Sequence, residues 1–220
     1  MKSACPLFSN KRERRKEERP GEIIDAALHV FVNDGFNAAR MEDVAKHAGV
    51  AKGTVFRYFP TKGDLFKAVV QTHLSNQFGT WQERVSTFEG SSRELVRESM
   101  MAWWTDVGST PAAGISRLFM QEVKHFPDLS AHYHANVIEP GRAIVRSILE
   151  RGVARGEFRQ ADVGALITLF MAPLLLLAMT CLDTNSCHTL LQPGQTPEQL
   201  IIEMADILVK GLQPVSGESS

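Results

Sequence analysis

Between residues 52 and 62 the chain sets out Lys52, Gly53, Thr54, Arg57, Tyr58 and Lys62: a hydroxyl, a guanidinium, a phenol, two ammonium groups and one bare backbone position. Compact and forked hydrogen-bond donors of this kind suit phosphate oxygens and base edges. At about 100° per residue, with Thr54 as zero, Arg57 and Tyr58 fall within roughly 60° of it and Gly53 adjoins them, while Val55 and Phe59 point the other way. A short helix built so has an apolar back to fix it in a domain and a polar front that fits a major groove.

Two neighbours must hold those donors. Residues 41–66, MEDVAKHAGVAKGTVFRYFPTKGDLF, break at Gly49 and Pro60 into two short helices and the start of a third, the layout of a helix-turn-helix. Met41, Val44, Ala45 and Ala48 stand at i, i+3, i+4 and i+7 and share one face. Glu42 and Asp43 occupy the first turn, where acids suit the helix dipole. Gly49 ends that helix where a left-handed residue is common, leaving Val50 to pack the turn. Pro60 stops the second helix, having no N–H to donate. Thr61 with Asp64 three residues on resembles a capping box that starts the next and holds Lys62 beside the polar front, placed for a phosphate. Upstream, Ile24, Ala27, Leu28 and Phe31 repeat the i, i+3, i+4, i+7 spacing in a helix over 20–33, with Pro20 suited to its first position and Gly35 to its exit. The expected core of the three helices is Ile24, Leu28, Phe31, Phe36, Val44, Ala45, Val50, Val55, Phe59 and Leu65.

The ungapped run from about Glu22 to Val70, with Ala26-Ala27, Phe31, Gly35-Phe36, Asp43-Val44-Ala45, Ala48-Gly49-Val50, Lys52-Gly53-Thr54, Arg57-Tyr58-Phe59 and Lys62 in register, resembles the N-terminal domain of the TetR family of bacterial transcriptional regulators. The resemblance implies an all-α, cytoplasmic homodimer that binds double-stranded DNA and carries a variable C-terminal domain, which often takes a small molecule. Carried over residue by residue, Thr54, Tyr58 and Lys62 match positions that often touch the DNA backbone, and Lys52, Gly53 and Arg57 match positions near the bases. Arg40 and Met41, at the start of the motif, complete the expected DNA-binding set. The chain departs from the family where Thr or Ser is usual just before the motif: Ala39-Arg40 removes a cap normally worth about 1 kcal/mol, and Arg40 offers a phosphate contact instead. Ala51 stands where Ser is frequent and Phe56 where Tyr is frequent, so a capping hydroxyl and a phenol are missing.

Charge divides along the chain. Residues 1–70 hold 13 Lys and Arg against 9 Asp and Glu, or +4, and residues 71–220 hold 11 against 16, or −5, which together give the formal −1. Such segregation fits a nucleic-acid reader with an acidic partner domain. The expected domains are a basic disordered arm over 1–18, a helix-turn-helix domain over 19–66, an effector-binding and dimerisation domain over 67–212 and a disordered tail over 213–220. Within the arm, KRERRKEER at 11–19 reads as a solvated segment; its sharper reading sends Arg12, Arg14 and Arg15 to an adjacent groove.

The rest of the chain shows helical spacing throughout. Helices are expected over 62–87, 92–108, 112–125, 129–155, 161–183 and 196–211, with a kink near Pro140. Residues 163–182 carry no charge and pass the length test for a membrane span. Asp162 and Asp183 bracket them without a basic or aromatic anchor on the C-terminal side, and Gly164, Thr168, Pro173 and Thr180 dilute them. A buried helix apolar all round is the preferred reading. The TetR resemblance places this segment and 196–211 in a four-helix bundle with a second subunit. Residues 1–10 are too short and too little apolar for a secretion leader. Cys5, Cys181 and Cys187 form no disulfide framework and suit a reducing compartment. His125, His132 and His134 lie close in sequence, but His132 and His134 diverge on a helix, and no metal site is expected.

The expected effector pocket draws on Met101, Trp104, Phe119, Met120 and Phe170, within a middle domain rich in aromatic and Met residues that also include Met100, Trp103, Phe126 and Met171. Trp103 and Trp104 are adjacent and cannot share a face, so one is expected in the core and the other at a pocket or interface. No cofactor is expected, and the chain holds no phosphate loop, nucleophile elbow or acid pair that would make it an enzyme. The reading is a dimeric repressor on a near-palindromic operator, released by a small apolar or aromatic effector. The alternative is a DNA-bound regulator governed by a protein partner, by cysteine oxidation or by metal.

Overall fold

The computed structural model describes residues 7–181 and 190–214, with side chains from Arg19 onward. All regular structure among them is helical. α1 (Leu7–Asp34), α2 (Met41–His47), α3 (Lys52–Tyr58) and α4 (Lys62–Val70) form the first group, and α4 continues through a π-helical turn, Gln71–Ser75, into α5 (Gln77–Thr87). α6 (Ser92–Trp103) ends in a second π-helical turn, Trp104–Gly108, followed by α7 (Ala113–Gln121) and a 3-10 turn, Val123–His125. α8 (Pro127–Tyr133) passes through a third π-helical turn, His134–Ile138, into α9 (Glu139–Ala154), and α10 (Val163–Cys181) and α11 (Pro197–Gly211) complete the chain.

Local chemistry sets most boundaries. Thr61–Asp64, Ser91–Glu94 and Thr196–Gln199 each make a reciprocal capping box at the starts of α4, α6 and α11. Gly35 at φ +83 and Gly49 at φ +65 end α1 and α2 in the left-handed region. The kink expected near Pro140 is the π-helical turn just before it. Pro140 has no N–H for the Asn136 carbonyl, which accepts instead from the Ser75 hydroxyl at 3.0 Å.

The sequence places the start of α1 at Pro20, whereas the backbone of residues 7–18 already continues the helix and Pro20 lies inside it. Lys, Arg and Glu are strong helix formers and recur at i, i+3 and i+4 over 11–19, which favours helix on the far side of the proline. The arm expected to be disordered is therefore helical from Leu7 on; residues 1–6 and the tail from 215 fall outside the described residues.

Two cores organise the molecule. The first gathers Ile23, Ala27, Phe31, Phe36, Val44, Val55, Leu65 and Phe66 with Val107, Ile115, Leu118, Phe119, Val123, Leu129 and Tyr133. Ile23 is fully buried, while Ile24, Val50 and Phe59 of the expected core are only partly so. The second gathers Leu95, Met100, Trp104, Ile148, Phe170, Leu174, Leu177, Ile201 and Ala205. α10 is the one helix among the described residues long and apolar enough for a membrane span. It packs Ile167, Phe170, Leu174 and Leu177 into the second core and leaves Leu169 and Leu176 exposed.

Candidate nucleic-acid interface

α3 is seven residues long and is held from behind. Val55 is fully buried in the first core, and Phe59, its C-cap, packs against the same core. No side chain caps the N-terminus of α3 at Ala51 or of α2 at Arg40, as the missing hydroxyls require. Packing on α2 positions the helix in their place.

The solvent-facing arc of α3 differs from the one read by rotation. Gly53 and Arg57 are exposed, and a Cβ on Gly53 would meet nothing within 4 Å. Thr54 and Tyr58 are half-buried, and Tyr58 packs against the first core. The centre of the arc lies near Gly53, with Arg57 on one side and Phe56, 40% exposed, on the other. Rotation about an isolated axis could not show that α3 leans toward the side of Thr54 and Tyr58. Phe56 is the residue that sequence reasoning undervalued: the missing hydroxyl drew attention away from an exposed ring able to meet a thymine methyl.

Lys52 forms an ion pair with Glu42 of α2 and stands 5.6 Å over the Phe56 ring. The Lys52 hydrogen bond is the main cause holding the Glu42 carboxyl below its ordinary range. The ammonium of Lys52 keeps further N–H donors beside the one it gives to Glu42.

Two residues of the expected DNA-binding set are placed elsewhere. Met41 is buried in the first core, since the spacing that begins α2 turns its side chain inward. Lys62 does not extend toward the polar front. Its Nζ donates to the carbonyls of Phe36 at 2.6 Å, Asn37 at 3.1 Å and Ala39 at 3.0 Å, and lies 4.7 Å from the Phe36 ring centre. Desolvation lowers its pKa, against the pull of Glu122. Lys62 braces the α1–α2 turn, and Arg40 is exposed at the end of that turn.

The five residues expected to line an effector pocket do not converge. Phe119 stacks on Tyr133 at 4.1 Å in the first core. Trp104 and Phe170 are buried in the second core, Met101 packs on its edge, and Met120 is 55% exposed. The indole N–H of Trp104 donates to Glu198 at 2.8 Å, and its neighbour Trp103 is half-buried against both cores. Two clefts, of about 420 and 470 Å³, lie instead between α1 and the segment from Asp106 to Ala112, and share His29, Thr110 and Pro111.

Among the described residues no three His, Cys, Asp or Glu side chains are placed to hold a metal. Cys181 is disulfide-bonded, a correction to the expectation of three unlinked cysteines, while Cys5 and Cys187 fall outside the described residues.

A family model described as "Bacterial regulatory proteins, tetR family" matches residues 23–69, and one described as "Tetracyclin repressor-like, C-terminal domain" matches residues 89–204, more than half the chain. The HTH-type transcriptional activator FasR of Mycolicibacterium smegmatis is 30% identical over 57% of this chain, which spans 58% of that relative. The HTH-type transcriptional repressor KstR2 of Rhodococcus jostii is 24% identical over 66% of this chain and 70% of its own length. The transcriptional regulator FadR of Bacillus subtilis, solved with stearoyl-CoA, superposes with a TM-score of 0.70 at 20% identity over 87% of this chain and 98% of that one. A helix-turn-helix over α2 and α3, an all-helical second domain and both family matches lead to one conclusion: the chain belongs to the TetR family of DNA-binding transcriptional regulators.

Proposed function

We propose that the protein binds a near-palindromic operator as a homodimer and is released by a small apolar or aromatic effector. One observation carries the DNA-reading part: the outward arc of α3 offers Gly53, Arg57 and Phe56 while Val55 anchors its back. Arg57 is the base reader, its fork suited to the O6 and N7 acceptors of guanine. Thr54, at the flank, and Arg40 meet phosphates, and Gly53 lets the backbone approach. Exposed Leu169 and Leu176 on α10 with Ile202 and Ile207 on α11 support pairing of two subunits through these helices. Paired heads would enter successive major grooves about 34 Å apart, and an effector that binds the other spacing better would release them. An operator-binding regulator of this kind works in the cytoplasm.

Selection of duplexes from a random pool, followed by binding of Arg57→Ala, tests the reading. The expected result is a two-fold related site, with Arg57→Ala losing about 1–3 kcal/mol and its base preference at one position of each half-site. Equal loss on selected and random duplexes would remove Arg57 from base reading. FasR is described as an activator and KstR2 as a repressor, so a reporter behind the selected site decides the sign of control. Stearoyl-CoA is the first effector to try, since the FadR neighbour was solved with it.

Control by thiol oxidation is a second reading, favoured by the disulfide at Cys181, whose residue lines one of the clefts beside α1. Operator affinity that is the same with and without dithiothreitol would remove it.

A further inference from the structure

The turn between α1 and α2 is gripped by a residue that lies outside the helix-turn-helix. Glu122, one position beyond α7, accepts the Asn37 backbone N–H through Oε2 at 2.7 Å. Its Oε1 lies 2.6 Å from where a Cβ on Gly35 would stand, so the bare glycine admits the carboxylate. Phe126, four residues further on, meets the Phe36 ring edge-on at 5.2 Å. From α4, Lys62 takes the carbonyls of Phe36, Asn37 and Ala39. The turn is thus held by a carboxylate on an N–H, from the residue that follows α7, and an ammonium on three carbonyls, from α4. The next residue is Arg40, in extended backbone at φ −116 and exposed.

We infer that Glu122 is a positioning residue for DNA binding: by fixing the 35–39 turn it aims Arg40 at an operator phosphate, so the effector domain builds part of the reading surface. The inference rests on the DNA-binding reading above. It also accounts for Lys62 facing inward, because the phosphate contact then falls to the residue that the Lys62–Glu122 pair holds in place. A guanidinium on a loosely held turn must be ordered at the moment of binding, and that entropy opposes affinity.

The test is a double-mutant cycle on the full-length protein with the selected operator, read as affinity against salt concentration. Glu122→Ala and Arg40→Ala are each expected to weaken operator binding about tenfold and to reduce the salt slope by about two phosphates, one in each half-site. The double variant should be no weaker than either single one, while Glu122→Ala with Arg57→Ala should multiply. Glu122→Gln keeps an acceptor for the Asn37 N–H and should lose less, and it replaces Glu122→Ala in the cycle if the latter does not melt as a folded protein. A purely structural role for Glu122 would lower the melting temperature and leave the salt slope alone. An unchanged slope, or losses that multiply between positions 122 and 40, overturns the inference. Failure of the wild-type protein to bind any selected duplex would instead strike the DNA-binding reading itself.

Discussion

Replacement of Ile207 by Asp should split the protein into monomers. Ile207 is 70% exposed, Leu169 59%, Leu176 51% and Ile202 46%. Full burial of such a side chain is worth about 1.5–3 kcal/mol, so covering the exposed part of each gives roughly 1–1.5 kcal/mol. Four residues on each of two protomers then supply roughly 8–12 kcal/mol, comparable with the 4–15 kcal/mol that association costs in lost freedom. On that scale no single residue is dispensable. In a two-fold interface Ile207→Asp acts twice, removing roughly 3 kcal/mol and burying two carboxylates, so the dissociation constant should rise more than 100-fold, at about 1.4 kcal/mol per tenfold. Sedimentation equilibrium at micromolar protein should show wild type at twice 24.4 kDa and the variant near 24.4 kDa, with helical circular dichroism intact. If both Ile207→Asp and Leu176→Asp sediment as wild type does, the α10–α11 face is not the subunit interface.

Three other outcomes follow from particular contacts. Lys62→Met keeps the stem and removes the ammonium from three carbonyls, and should cost about 1–3 kcal/mol, seen as a lower urea midpoint with unchanged m-value; a Lys62 pointing to solvent would leave the midpoint where it is. Gly152→Ala drives a methyl into the buried ring of Phe158 and should cost about 1–3 kcal/mol, or several degrees in Tm, whereas Gly53→Ala, helical and with open space around it, should stabilise the protein by about 0.4–1 kcal/mol. Desolvation is the largest cause lowering the pKa of His73, against the pull of Asp25 3.3 Å away, and desolvation with Lys67 lowers that of His132. Both rings resist protonation in the folded state, so stability is complete above pH 6.5 and falls as pH drops through the lower folded values. Urea midpoints at pH 7.5 and 5.5 should differ less in the His73→Gln, His132→Gln double variant than in wild type, and an equal difference refutes the assignment.

What the sequence revealed was local. Thr61–Asp64, Gly35, Gly49 and the inward Val55 depend on partners within a few residues, so spacing alone locates them. Lys62 and Glu122 could not be read this way. Lys62 finds its acceptors 23–26 residues upstream, and Glu122 meets an N–H 85 residues away. The aromatic residues of the middle domain were visible as a class, but their division between two cores follows from helix packing: Phe119 turns to Tyr133, and Trp104 to Glu198.

The first core joins the motif to the C-terminal domain. Phe31, Phe36 and Phe66 share it with Ile115, Phe119 and Leu129, so a boundary at residue 66 divides the sequence but not the packing. The helices that carry the exposed stripe, α10 and α11, bury their opposite faces in the second core. Trp81 and Trp103 lie against both cores, and the π-helical turn Trp104–Gly108 puts Trp104 in the second and Val107 in the first. Close-packed cores shift between discrete arrangements and do not deform smoothly. Under the dimeric, effector-released reading proposed above, the spacing of two heads would be set where one core meets the other, and an effector would change it by favouring one packing of that seam. A preference of about 1–3 kcal/mol between the two packings alters operator affinity roughly 5–150-fold, a range within reach of a ligand that touches only the second core.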